Sequence, residues 1–168
     1  DYVTAKATQL YSRMIPSRGG DTLFPSAYAV YDALPERLKR RIEGVEATYK
    51  YGGRLKREVQ LLEEEDRVRP AAVHGLVRVH PETGRKAIYF NPNRTDHIEG
   101  MDRAESDRLL DMLHAHMTQP KYRYDHEWRL GDVLLWDNRS LVHSVNVDFP
   151  VGEHRLHQRI LLEGVRPR

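Results

Sequence analysis

His143 closes the run Trp136-Asp137-Asn138-Arg139-Ser140-Leu141-Val142-His143, and twelve residues later stands Arg155-Leu156-His157-Gln158-Arg159. A neutral imidazole can hold a metal ion, and a planar guanidinium can clamp a carboxylate through two parallel hydrogen bonds. Side chains alternate between faces along a strand, so an extended 155–159 run points Arg155, His157 and Arg159 the same way. The apolar run Val133-Leu134-Leu135-Trp136 reads as another strand leading toward His143. One surface then carries a metal ligand and an anion clamp together. Taken singly, each residue has a plainer reading: a strand-end histidine, a surface arginine, or an Arg159 salt-bridged to a nearby carboxylate.

These residues need a rigid frame, and the sequence predicts a mostly β one. Residues 8–15 alternate Gln9, Tyr11 and Arg13 with Leu10, Ser12 and Met14 until Pro16, and Gly19-Gly20 then supplies a turn. Residues 25–43 read as helical with a restart at Pro35. Short β-rich runs follow at 75–79, 87–90, 133–136, 141–147 and 156–162, separated by turn signals, which suits a sandwich or barrel. Residues 102–118 read as a helix. Asp102 and Glu105 are spaced as a capping box, Leu109, Leu110, Met112, Leu113 and Met117 form the apolar stripe, and Pro120 ends it. That helix is free to face the barrel or a partner subunit, which leaves a homo-oligomer open. The charge-dense stretch 54–69 reads as a solvated loop or a lid.

At 168 residues the chain is one domain by size, 1–168, long enough for a real core. With 27 Lys and Arg against 25 Asp and Glu, the net charge of +2 gives no reason to expect nucleic acid as a partner. Cysteine is absent, which excludes disulfides, thiolate metal sites and a cysteine nucleophile. No run of apolar residues is long enough for a membrane span or a signal peptide, so a cytoplasmic protein without a membrane partner is expected. Histidines 74, 80, 97, 114, 116, 126, 154 and 157 lack the context of His143. His114 and His116, two apart on a helix, face different ways and cannot chelate one ion. Tyr11, Tyr89 and Trp128 could line a pocket, although aromatic residues on strands are usually core.

Four stretches in order carry a family resemblance: Pro16-Ser17-Arg18-Gly19-Gly20-Asp21-Thr22; Ala27-Tyr28-Ala29-Val30-Tyr31-Asp32-Ala33-Leu34-Pro35; His80-Pro81-Glu82-Thr83-Gly84-Arg85-Lys86; and Trp128-Arg129-Leu130-Gly131-Asp132 leading into Trp136-Asp137-Asn138-Arg139. Over about residues 5–167 the chain resembles the taurine dioxygenase and 2,4-dichlorophenoxyacetate dioxygenase family of Fe(II)- and 2-oxoglutarate-dependent oxygenases. The resemblance implies a double-stranded β-helix, or jelly roll, mainly β with flanking helices. It implies His143 as the distal histidine of a two-histidine, one-carboxylate iron triad, which is the catalytic centre. It also implies Arg155 and Thr22 as the binders of a 2-oxoglutarate carboxylate, and Arg159 as a contact for an anionic group of the substrate. Asp137, Asn138 and Arg139 are expected to brace the turn before His143. The implied activity is hydroxylation of a small, anionic organic molecule by dioxygen, with release of succinate and CO2.

The chain departs from the family pattern in one respect. The His-x-Asp motif that gives the family its other two ligands should precede the Gly-Gly-Asp-Thr turn, and no His-x-Asp stands before that turn here. The expectation is that the chain holds the C-terminal part of the jelly roll and that the ligand pair lies in residues outside this sequence. Asp1 is the one carboxylate in the region and a less favoured candidate ligand. The competing expectation, of another class, is a catalytically inactive jelly-roll protein that keeps the arginine clamp for a small carboxylate.

Overall fold

A computed structural model describes residues 5–50, 52–53 and 70–164. The expectations for Asp1 and for a lid at 54–69 lie outside the described residues. The strands that carry the site form two three-stranded antiparallel sheets. In the first, β1 (Ala7–Met14) is central, between β9 (Val133–Asp137) and β11 (Leu156–Leu162). In the second, β2 (Thr22–Pro25) is central, between β8 (Arg123–His126) and β10 (Ser144–Val145). Registers such as Thr8 opposite both Trp136 and Leu161, and Leu10 opposite both Leu134 and Arg159, put these side chains on one face of the first sheet. Val133, Leu135, Ile160 and Leu162 occupy the other face and are exposed.

A second layer lies between these strands in sequence. Helices α1 (Ala27–Asp32) and α2 (Glu36–Ile42) form within the helical stretch expected at 25–43, with the restart at Pro35, which cannot sit inside a helix and here precedes the first turn of α2. The layer continues with β3 (Glu46–Tyr49), which pairs with β4 (Ala72–Gly75) and β7 (Thr95–Ile98). A separate hairpin pairs β5 (Val77–Val79) with β6 (Lys86–Ile88), so the run expected at 75–79 is broken at the fully buried Leu76. Helix α3 (Arg103–Met117) packs across this layer, and the main hydrophobic core forms here: Val30, Leu34, Ile42, Leu76, Phe90, Ile98, Leu109, Leu110, Leu113 and Met117.

The boundaries of α3 follow from its caps. The Asp102 carboxylate accepts the Glu105 N–H, and the Thr118 hydroxyl donates back to the His114 carbonyl. Only half of the expected capping box forms, since the Glu105 carboxylate is paired with Arg41. Met112, assigned to the apolar stripe, is exposed. The strand expected at 141–147 shrinks to β10, because the N–H groups of Ser140 and Leu141 both turn back to the Asp137 carbonyl. Among the described residues, no helix is long and apolar enough to cross a membrane.

Candidate oxygenase site

The turn between β9 and β10 delivers His143, and its geometry is set by Asp137. That carboxylate accepts Arg139 Nε at 2.8 Å and the Arg139 backbone N–H at 2.8 Å. It also accepts the Nε2 proton of the buried His80 at 3.0 Å. His80 has its other nitrogen occupied, since Nδ1 accepts the N–H groups of Glu82 and Thr83; this fixes the proton on Nε2. Burial alone would raise the pKa of Asp137, but the hydrogen bonds from Arg139 and His80 prevail and hold it well below the usual carboxylate range. Asn138 ties the same turn to β1 by donating to the Ala5 carbonyl and to the Thr8 hydroxyl. All three residues of the Asp-Asn-Arg run therefore brace the turn. The part played by His80 was not foreseen; the signal was its place at the head of the His-Pro-Glu-Thr-Gly turn, where a ring nitrogen can accept turn N–H groups.

The His143 ring packs edge-on against Trp136 at 4.9 Å and beside Phe24 at 6.4 Å, with its outer side open to a cavity. Packing and then the nearby Arg159 guanidinium lower its pKa, favouring the neutral ring that binds metals. Its nitrogens make no hydrogen bond to the described residues, so the donor chemistry fits a metal ligand. Among the described residues no group of three His, Asp or Glu gathers around an ion.

The cavity measures about 640 Å³. Its walls include His143, Arg159, Leu141, Val142 and Leu161 together with Tyr49, His74 and Tyr89. The last three form a ring cluster with centroids 5.1 to 5.9 Å apart, and Arg78 stacks behind Tyr89. Tyr89 is thus a lining residue, whereas Trp128 is buried and Tyr11 lies on the exposed sheet face. Arg159 makes no ion pair with any described residue, so the salt bridge weighed against its substrate role is not formed there.

Thr22 and Arg155 meet at the seam between the two sheets. Thr22 lies on β2 and is not a helix cap, and its buried hydroxyl accepts Trp128 Nε1 at 2.9 Å and Arg155 Nη2 at 2.9 Å. With both acceptor positions filled, the hydroxyl proton is left to donate. Arg155 Nε donates to the Gly20 carbonyl at 2.7 Å, and Nη1 makes no hydrogen bond within the described residues. A free hydroxyl proton and a free guanidinium nitrogen on one seam are complementary to a carboxylate. His157 follows Arg155 on the same side, with its ring against Trp128 at 4.2 Å. Burial first, then Arg155 and His126, bring its pKa down to about 4.

The two strand sheets that carry the site, a histidine packed edge-on against Trp136 and opening on an aromatic-walled cavity, and a hydroxyl-guanidinium pair with donors to spare on the seam fit a jelly roll with its site between the sheets. The comparisons agree. Residues 2–161 match the family described as taurine catabolism dioxygenase TauD, TfdA family, and the chain belongs to that family. It is 36% identical over 141 residues to the alpha-ketoglutarate-dependent 2,4-dichlorophenoxyacetate dioxygenase of Burkholderia sp. (strain RASC), covering 83% of this chain and 47% of that protein. It is 35% identical over 159 residues to the pentalenolactone F synthase of Streptomyces arenae, covering 86% and 52%. The crystal structure of AAD-2 in complex with Mn(II) and N-oxalylglycine superposes with a TM-score of 0.86 at 30% identity, covering 98% of this chain and 66% of that one. The jelly-roll expectation stands. The chain spans about half the length of the curated relatives it matches.

Proposed function

We propose that the protein acts as an Fe(II)- and 2-oxoglutarate-dependent dioxygenase, hydroxylating a small, anionic organic substrate with release of succinate and CO2. The observation that carries this reading is the seam. Thr22 has a buried hydroxyl proton without an acceptor among the described residues, 2.9 Å from an arginine that still has a donor free. A 2-oxo diacid offers the carboxylate that such a pair lacks. His143 would be one metal ligand, with the remaining ligands supplied by a His-x-Asp pair outside residues 5–164; the chain 1–168 is accordingly proposed as one domain, the C-terminal part of the jelly roll. Iron, when bound, supplies the activation of dioxygen and the oxidation of the C–H bond.

The chain's own residues perform the remaining tasks. Thr22 and Arg155 fix the distal carboxylate of the cosubstrate, and Arg159 holds an anionic group of the substrate at the His143 end of the cavity. Tyr49, His74 and Tyr89 enclose its apolar body and limit the water around it. The names of the relatives, which include a dichlorophenoxyacetate dioxygenase and a pentalenolactone synthase, support oxidation of a compact organic molecule. They do not favour the catalytically inactive carboxylate-binding protein.

Anaerobic addition of Fe(II) and 2-oxoglutarate is expected to give a visible charge-transfer band that His143→Ala abolishes. Arg155→Ala should require much more cosubstrate to reach the same band. Carboxylate binding without any band would refute the oxygenase reading in favour of the binding protein.

A further inference from the structure

The Gly19-Gly20 turn is built around a carboxylate to which the proposed chemistry gives no task. Asp148 Oδ1 accepts the Gly20 N–H at 2.9 Å, and its Oδ2 accepts Asn146 Nδ2 at 2.8 Å. The Asn146 backbone N–H in turn donates to the Asp21 carbonyl at 2.9 Å, so both ends of the turn are tied to one short segment after β10. Gly19 has φ +67°, and a Cβ there would lie 2.4 Å from Asp148 Oδ1. Gly20 has φ +78°, and a Cβ there would lie 3.2 Å from Arg155 Cδ. The turn is therefore pressed between Asp148 on one side and the arginine of the clamp on the other.

We propose that Asp148 is a positioning residue for cosubstrate binding: by holding the Gly20 N–H it fixes the Gly20 carbonyl, which aligns the Arg155 guanidinium with Thr22. The inference rests on the dioxygenase reading above. The relay consists of four hydrogen bonds: Gly20 N–H to Asp148, Arg155 Nε to Gly20 O, Arg155 Nη2 to Thr22 Oγ1, and Trp128 Nε1 to Thr22 Oγ1. A guanidinium is a rigid plane, so fixing Nε also fixes the direction in which Nη1 and Nη2 point. Asp148 acts through the backbone and not by its charge, because the carboxylate whose field reaches Arg155 is that of Asp21. Its charge is in fact unwelcome there, since Asp148 helps to raise the pKa of Asp21. The loop has a second clasp, Glu153 accepting the Ser17 N–H and hydroxyl, which does not pass through the Gly20 carbonyl.

That difference supplies the test. Binding of N-oxalylglycine in the presence of Mn(II) would be measured on the full chain by quenching of tryptophan fluorescence, with thermal midpoints as a folding control. Asp148→Ala should weaken binding by about tenfold, as expected when the Arg155 guanidinium is misaligned with the cosubstrate carboxylate it would clamp. Asp148→Asn, which keeps an acceptor for the Gly20 N–H, should stay within about threefold. Glu153→Ala should stay within about twofold, although it loosens the same loop. Asp148→Glu keeps the charge but displaces the oxygen, and should behave as Asp148→Ala does; it gives the same reading if the alanine variant does not fold. In an Arg155→Lys background, which retains a cation without the Nε donor, Asp148→Ala should add less than about twofold. Unchanged binding in Asp148→Ala, or an equal loss in the Arg155→Lys background, overturns the inference while leaving the dioxygenase reading intact. Failure of the unsubstituted protein to bind N-oxalylglycine at all overturns both.

Discussion

Replacing His157 with leucine should make the protein less sensitive to acid, and the size of the effect follows from its surroundings. Both ring nitrogens are buried without a hydrogen-bond partner among the described residues. The ring packs on Trp128, with the Arg155 guanidinium and the His126 imidazole as the charged or titratable groups acting on it. Protonating it would place a cation in that setting, so its pKa falls from 6.5 to about 4. Between those values the unfolded chain binds the proton and the folded chain does not, so stability is retained above pH 6.5 and declines as pH falls toward 4. At pH 5 the linkage is about 2 kcal/mol. His157 is only partly buried, and solvent screening reduces this to roughly 1 kcal/mol. Urea midpoints at pH 8 and pH 5 for the unsubstituted protein and for His157→Leu measure the difference directly. The variant should lose about 1 kcal/mol less between the two values. At pH 8 it should be equal or slightly more stable, since leucine removes two unsatisfied polar atoms. Parallel losses in the two proteins would refute the reasoning.

Two further substitutions probe the frame. His80→Ala removes the bond to Asp137 and leaves the Glu82 and Thr83 N–H groups without their acceptor; a loss of about 2–3 kcal/mol is expected by urea unfolding. Gly19→Ala combines a left-handed backbone with a Cβ pressed onto Asp148. It should cost about 2 kcal/mol or more by the same measurement, far above an alanine at the open Gly100, which pays only the backbone term.

Much of this was legible in the sequence, and the reasons differ by element. The β11 run was read with its observed bounds because seven residues rich in aliphatic side chains follow a turn. Helix α3 was legible because a cap, a stripe and a proline agree. The strands β2, β3, β7 and β8 were not anticipated. β7 reads Thr-Asp-His-Ile and β8 reads Arg-Tyr-Asp-His, so polar residues hide the alternation and only pairing with distant partners makes them strands. His143, Thr22, Arg155 and Arg159 were singled out by the family resemblance of the stretches around them; their residue types alone would not have chosen one imidazole among nine histidines. Asp148 and the partner of His80 across the fold were not singled out. The role of Asp148 and His80 lies in which groups they hold, 128 residues away for the Gly20 N–H and 57 away for the Asp137 carboxylate.

The first sheet also dictates when this chain can fold. Its central strand, β1, lies far from its partners β9 and β11 along the sequence, with Ala7 opposite both Asp137 and Leu162. During synthesis β1 must wait without a sheet partner until β9 has emerged, because neither neighbour exists before then. The layer built by α1, α2, α3 and β3 to β7 has nearer contacts and closes shorter loops, so it forms first and brings the two ends of the sheet within reach. The seam where Thr22 meets Arg155 is consequently among the last contacts made. A folding defect that spares the helical layer would still abolish the clamp.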